Sequence, residues 1–412
     1  MGSSSIIISP KSLLPAAVAA MLLTTAACSS GDTTAGASDS PTAATSASSS
    51  SSGSPGAGTS ASASSSARAS GGPGGGGMQQ ITAVNLNTKG ASPGGANTAE
   101  VVKATSAFLA TLGDTTRDKV EYDFTDNKAR QTWSNFPATA VPREGVQLSA
   151  LTAEQLKAAY AVLQVALSSD GYTQNGNIQQ ADDELSRVSS SGASDFGALK
   201  DYYMAVYGTP SATSPFMVQF GGHHLARTLT YNGDKVSQTP QFVGAEPTKF
   251  AVDGKTVEPV LPESSSMFAM MAAFTADQKK SAEITSGTFD DLLMGPGKDS
   301  GNFPTPEGLS VSKLDADQKK LVTAAMQAYA GDLNTAAATK LMAKYSSELD
   351  QTTIGWSNNT GPTDENSYIR IDGPSVWIEF INTRSRSTPD IHFHTMYRDK
   401  TNDYGSTKPA AS

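Results

Sequence analysis

The sequence predicts an α+β domain: an antiparallel or mixed sheet joining the 216–239 strands to the 367–398 strands, flanked by amphipathic helices. Two observations predict it. Runs rich in β-branched and aromatic residues gather in two places far apart in the chain, each punctuated by turn residues. Between and before them, apolar residues recur at helical spacing behind recognisable helix starts.

Taken in order, the chain opens with a segment unlike the rest. Lys11 is the only charged residue before Asp32, and an apolar stretch from Leu13 to Ala27 follows it. A positive residue, a short apolar region and small residues before a cleavage point make a secretory signal peptide. Thr24-Thr25-Ala26-Ala27 leads into Cys28, which resembles the lipobox of bacterial lipoproteins, although Thr25 stands where a leucine is usual. Residues 1–28 are therefore expected to be a lipoprotein signal peptide with Cys28 as the lipidated residue. The expected localisation is extracytoplasmic, lipid-anchored to a bacterial cell membrane, with simple secretion as the alternative. No later segment is apolar enough to span a bilayer. Cys28 is the only cysteine, so no internal disulfide forms.

Residues 29–77 are almost wholly Ser, Ala, Gly, Thr and Pro, a composition that cannot offset its own ordering entropy. They are expected to form a disordered tether reaching roughly 35–40 Å. Residues 78–412 remain as a single globular domain. Lys11 and Arg68 cancel Asp32 and Asp39, so this domain carries the whole net charge of −9. Acidity without a basic run argues against a nucleic-acid partner.

Within the domain, helices are expected at Ala99–Leu112, Ile178–Val188 and Thr335–Leu349. Three further starts share one formula: Thr152-Ala-Glu-Gln155, Thr275-Ala-Asp-Gln278 and Asp315-Ala-Asp-Gln318. In each, a capping oxygen stands three residues before a glutamine, as in the capping box. The likeness reflects capping chemistry, with an ancient repeat as the alternative. Strands are expected at Phe216–Tyr231, then Lys235–Thr239 after the Asn232-Gly233 turn, and at Ser367–Ile371, Val376–Ile381 and Ile391–Arg398.

The chemistry concentrates where the strands are. All four histidines, His223, His224, His392 and His394, fall in two short strand-like segments. Alternation puts His392 and His394 on one face, where both imidazoles could reach one metal ion. His223 and His224 are adjacent and would point to opposite faces, unless Gly221-Gly222 permit unusual dihedrals. Glu379 is a lone acid in an apolar strand and must be paired, protonated or bound. Glu246 lies in Gly244-Ala-Glu-Pro247, and Asp399 follows Arg398. The bland alternative is a structural network in which Glu379 pairs with Arg370 or Arg398. There is no G-x-S-x-G elbow, no phosphate loop and no H-E-x-x-H helix, and Cys28 lies outside the domain.

Ordered segments across residues 100–405 resemble one family. They include Arg130-Gln-Thr-Trp133, Arg143-Glu-Gly145, Phe220-Gly-Gly-His-His-Leu225, Phe242-Val-Gly-Ala-Glu-Pro247, Tyr368-Ile-Arg370, Glu379-Phe-Ile-Asn382, Ile391-His-Phe-His-Thr395 and Asn402-Asp-Tyr-Gly405. The chain is similar to domain of unknown function family 3500, mostly bacterial and often secreted. The resemblance implies a single domain of that type and supplies no function.

The leading expectation is a surface-anchored metalloprotein, possibly a hydrolase-like enzyme. His392 and His394 would be ligands, His223 or His224 would complete the set, and Glu379 would be a further ligand or general base. Imidazoles alone favour zinc or copper, and a carboxylate ligand would admit iron or manganese. The alternatives are a tethered solute- or metal-binding protein without catalysis, in which Arg370, Arg398 and Asp399 contact a small-molecule ligand, and a structural envelope protein.

Overall fold

The computed structural model describes residues 85–86, 93–189 and 196–408. The expected signal peptide, Cys28 and the expected tether lie outside these residues. No helix among the described residues is long and apolar enough to cross a membrane.

The two predicted strand sets do share one sheet, of twelve strands among the described residues. Its central path runs Leu309–Ser310, Thr353–Asn358, Ser367–Asp372, Val376–Arg384, Ile391–Asp399, Gln241–Ala245, Leu225–Asn232, Phe216–Gly222, Tyr203–Tyr207, Glu121–Tyr122. Neighbours on this path are antiparallel except the last pair, which is parallel, so the sheet is mixed. The α+β architecture is as the sequence predicts. One joining element is additional: Gln241–Ala245, hydrogen-bonded to Leu225–Asn232 on one side and Ile391–Asp399 on the other.

Burial splits the sheet into two unlike faces. Val218, Phe220, Leu225, Val243, Ile369, Ile371, Ile378, Phe380 and Tyr397 enter the main core. That core is closed by helices Thr98–Ala110, Ala153–Ala166, Leu261–Ala272, Ala316–Ala330 and Thr335–Ser347, which contribute Phe108, Leu163, Met271, Met326 and Tyr345 among others. Alternation sends the next residue of each strand the other way. There, Ala226, Phe242 and Met396 pack under Trp133, and Tyr368 and Ile381 pack under Ile284. This second face is covered by largely irregular segments, residues 121–145 and 283–308, and it bears His392, His394 and Glu379.

All three capping boxes form. Two expectations need correction. The Phe216–Tyr231 run is not one strand: it is Phe216–Gly222 and Leu225–Asn232, with Gly222 paired to Leu225 and His223-His224 as the two-residue turn between them. And the helix expected from Ile178 begins nine residues earlier, at Ser169, where the Ser168 side chain accepts from the Gly171 N–H. Its inward face is polar along that first part, with Gln174 and Asn175 buried, so apolar periodicity could not reveal it.

Candidate metal centre

His392 and His394 do project from one face of their strand, and their Nε2 atoms lie 3.0 Å apart. His394 stands opposite Ile381 on one neighbouring strand and opposite Gly244 on the other. The missing side chain at Gly244 leaves room for the third imidazole. A Cβ there would sit 3.2 Å from His224 Cδ2 and 2.6 Å from the Phe393 carbonyl.

His224 enters that room because of the turn it occupies. Its φ is +57°, a left-handed conformation that histidine adopts more readily than most residues. The turn is held in place at both backbone groups: His224 N–H donates to the Asn135 carbonyl at 3.1 Å, and Gly244 N–H donates to the His224 carbonyl at 2.8 Å. The result sets His224 Nε2 3.2 Å from His394 Nε2, although the two residues are 170 apart in sequence.

These distances decide what the cluster can hold. With metal–nitrogen bonds of about 2.0–2.1 Å, two ligands of a tetrahedral ion stand about 3.3 Å apart. The observed separations, 3.0 and 3.2 Å, are close to that edge. His394 is also oriented from behind, since its Nδ1 meets Asp291 Oδ1 at 2.9 Å. A carboxylate on the far nitrogen is the usual device for fixing the tautomer and angle of a metal-ligating histidine. Burial, reinforced by the neighbouring histidines, holds His224 well below the ordinary imidazole pKa, and His392 is lowered in the same way. Both therefore present neutral rings, the form that binds metal.

His223 stacks on His224 at 3.8 Å between centroids, and its Nδ1 meets Asp182 Oδ1 at 2.6 Å. Asp201 Oδ2 accepts its backbone N–H at 2.9 Å, and Tyr202 donates to its carbonyl. Burial alone would lower the His223 pKa, but Asp182 outweighs it, with Asp201 and Glu246 adding to the rise. Burial, with Asp182 alongside, pushes the Asp201 carboxyl up to about 6. Three groups with ligand atoms within 4.8 Å of one another result: His224 with His392 and His394; His223 with His224 and Glu246; and His223 with Asp182 and Asp201. In the last group all four carboxylate oxygens already accept hydrogen bonds, from Gly197, His223 and Ala138, so it is complete without an ion.

Glu379 is in none of these groups. Its Oε1 accepts from the Leu293 N–H and the Tyr368 hydroxyl, both at 2.7 Å, and its Oε2 from the Met294 N–H and Trp377 Nε1, both at 2.8 Å. Burial raises its pKa against the pull of these donors. Arg398 grips the same loop, donating from Nε to the Met294 carbonyl and from a terminal nitrogen to that of Gly295, while pairing with Asp299 and Asp403 at 3.0 Å. Together they clamp the loop that begins at Asp291. Arg370 lies over the Trp377 ring at 4.9 Å and donates to the Glu307 carbonyl. Asp399 points to the helical face, where it meets Tyr345, Lys344 and Thr401. These residues share the structure's polar framework, and their hydrogen bonds run to the protein itself. A cleft lined by Trp133, Arg143 and Gln219 among others has no histidine in its wall.

Sequence reasoning missed Asp182, Asp201 and Asp291. Asp182 left a trace: Ile178, Asp182 and Leu185 are buried at helical spacing, an acid on an apolar stripe. Asp291 had none, standing beside Asp290 in an irregular polar stretch.

No curated protein and no solved structure matches this chain. A family model described as protein of unknown function (DUF3500) matches residues 94–406, a span that holds the whole sheet path and all four histidines, and the chain belongs to that family.

Proposed function

We propose that the protein is a metalloprotein whose ion is held by His224, His392 and His394. The observation that carries this reading is the convergence of three Nε2 atoms at 3.0 and 3.2 Å, with His394 braced by Asp291. Three imidazoles favour zinc or copper. Three protein ligands leave a fourth position for water, the arrangement of catalytic rather than structural sites. An ion there would lower the pKa of bound water and supply a nucleophile for hydrolysis. His223 and Glu246 lie beside His224 and outside this triad. In this reading Glu379 and Arg398 are positioning residues: they hold the 291–295 loop, and the loop presents Asp291 to His394.

The proposal includes the chain's setting. A lipid on Cys28 and a polar tether would hold the domain on the outer face of a cell membrane. Metal then comes from the extracytoplasmic medium, and the substrate is a small molecule met there.

Metal content decides the central claim. Untagged protein incubated with zinc, copper, iron or manganese and desalted should retain metal. His394→Ala should not, because it removes the imidazole that contacts both others. A wild-type chain that retains none of the four metals refutes the reading, and leaves a metal-free, hydrogen-bonded histidine cluster.

A further inference from the structure

We propose that the cluster takes a second cation, bound by His223 and Glu246 on the other side of His224. The inference rests on the reading of the first site and extends it from one ion to two.

The second position is built from buried groups. His223, His224 and Glu246 are 5%, 4% and 5% exposed, and each offers a ligand atom within 4.8 Å of the others. His223 Nδ1 is committed to Asp182 at 2.6 Å, which leaves Nε2 as its ligand atom. This repeats the arrangement behind His394, where Asp291 occupies Nδ1 and Nε2 faces the ion position. Two of four histidines thus carry a carboxylate on the far nitrogen, the second-sphere support that metal-ligating imidazoles receive. They serve different groups: His394 belongs to the first, and His223 does not.

Glu246 supplies what the first site lacks. A buried carboxylate needs a cation or several donors. Among the described residues, its one hydrogen-bond donor is the Ser385 hydroxyl. His223 and Glu246 are near enough to share an ion, yet no hydrogen bond joins them among the described residues. The nitrogen and oxygen ligands of one zinc stand a little over 3 Å apart, which suits two groups that approach without touching. His224 borders both positions, but a neutral imidazole has one free lone pair, so His224 ligates the first ion and the second rests on His223 and Glu246. A mixed imidazole–carboxylate set accepts zinc, iron or manganese.

The test is native mass spectrometry of the untagged wild-type chain loaded with zinc and desalted. Two zinc ions per chain are expected, with Glu246→Gln falling to one and melting, metal-free, as the metal-free wild type does. One zinc in the wild type overturns the second position and leaves the first intact. None overturns both. Two zinc ions persisting in Glu246→Gln would place the second ion elsewhere and overturn the assignment. Cadmium-113 spectra of the wild type provide a check that needs no variant: two resonances are expected, and a single one, at one equivalent per chain, overturns the proposal.

Discussion

Replacing Asp291 with alanine tests whether the histidines form a braced ligand set or a mere hydrogen-bonded group. Asp291 accepts from His394 Nδ1 at 2.9 Å, and its own carboxylate stands below the ordinary range because His394 outweighs the effect of burial. Removing such a partner typically weakens metal binding by about 10–100-fold. The structure sets the expected value near the lower end. The Asp291 side chain is 44% exposed, so water screens the contact and can replace it. About tenfold is expected, or about 1.4 kcal/mol. The assay is zinc affinity by chelator competition, comparing wild type, Asp291→Ala and His394→Ala. The alanine at 291 should weaken binding by a measurable factor, and the alanine at 394 should remove it. Equal affinity of Asp291→Ala and wild type, within twofold, would refute the bracing. Complete loss in Asp291→Ala would refute the ranking of ligand above support.

Other perturbations follow from the same geometry. Gly244→Ala should lower stability, because its Cβ would sit 2.6 Å from the Phe393 carbonyl, and should weaken zinc binding by displacing the His394 strand and crowding His224 Cδ2; unchanged urea unfolding and chelator competition contradict this. Glu379→Gln replaces one of two acceptor oxygens with an NH2 group that cannot accept. It should cost about 1–3 kcal/mol for each N–H left unpaired, measured by urea unfolding, and should open the 292–294 loop to protease. Zinc at a hundredfold excess over its Kd should stabilise the wild type by about 2.7 kcal/mol, read as a rise in Tm that His394→Ala lacks. Glu263 is fully buried with its pKa pushed up to about 8, chiefly by burial and then by Asp332. Its raised value means folding takes up a proton, so its contribution is fully present below the ordinary carboxylate range and is lost as pH rises toward 8. Glu263→Gln should flatten that decline between about pH 4.5 and 8, and an equally steep decline in the variant would contradict it.

The sheet was legible because most of its strands obey alternation with one apolar face, and the helix starts because capping is local chemistry. The parts that were not legible share a physical cause. Gln241–Ala245, five residues between Pro240 and Pro247, carries too few positions to show a period. The helix from Ser169 buries Gln174, Asn175, Gln179 and Asp182, so a hydrophobic pattern is blind to its first half. That half orients Arg227 through Gln174 and Asn175, and the next turn orients His223 through Asp182. At the site, composition sufficed to bring four scarce histidines together. Which of them converge depended on a backbone torsion at His224 and on the absence of a side chain at Gly244. Glu379 was correctly marked as a lone acid needing partners. Its four donors include two backbone N–H groups from a loop 85 and 86 residues away, which no local pattern encodes.

The seam at Gln241–Ala245 has a consequence for how the protein is made. His224 is made well before His392 and His394, which lie 168 and 170 residues further along on the last long strand, so no product that stops short of residue 394 contains all three. An ion arriving beforehand would meet only one of its three proposed ligands, with the joining strand still lacking the neighbour that seats it. On the proposed reading, metal loading would wait until residue 394 has been made, and a chain stopped before it would carry an incomplete ligand set.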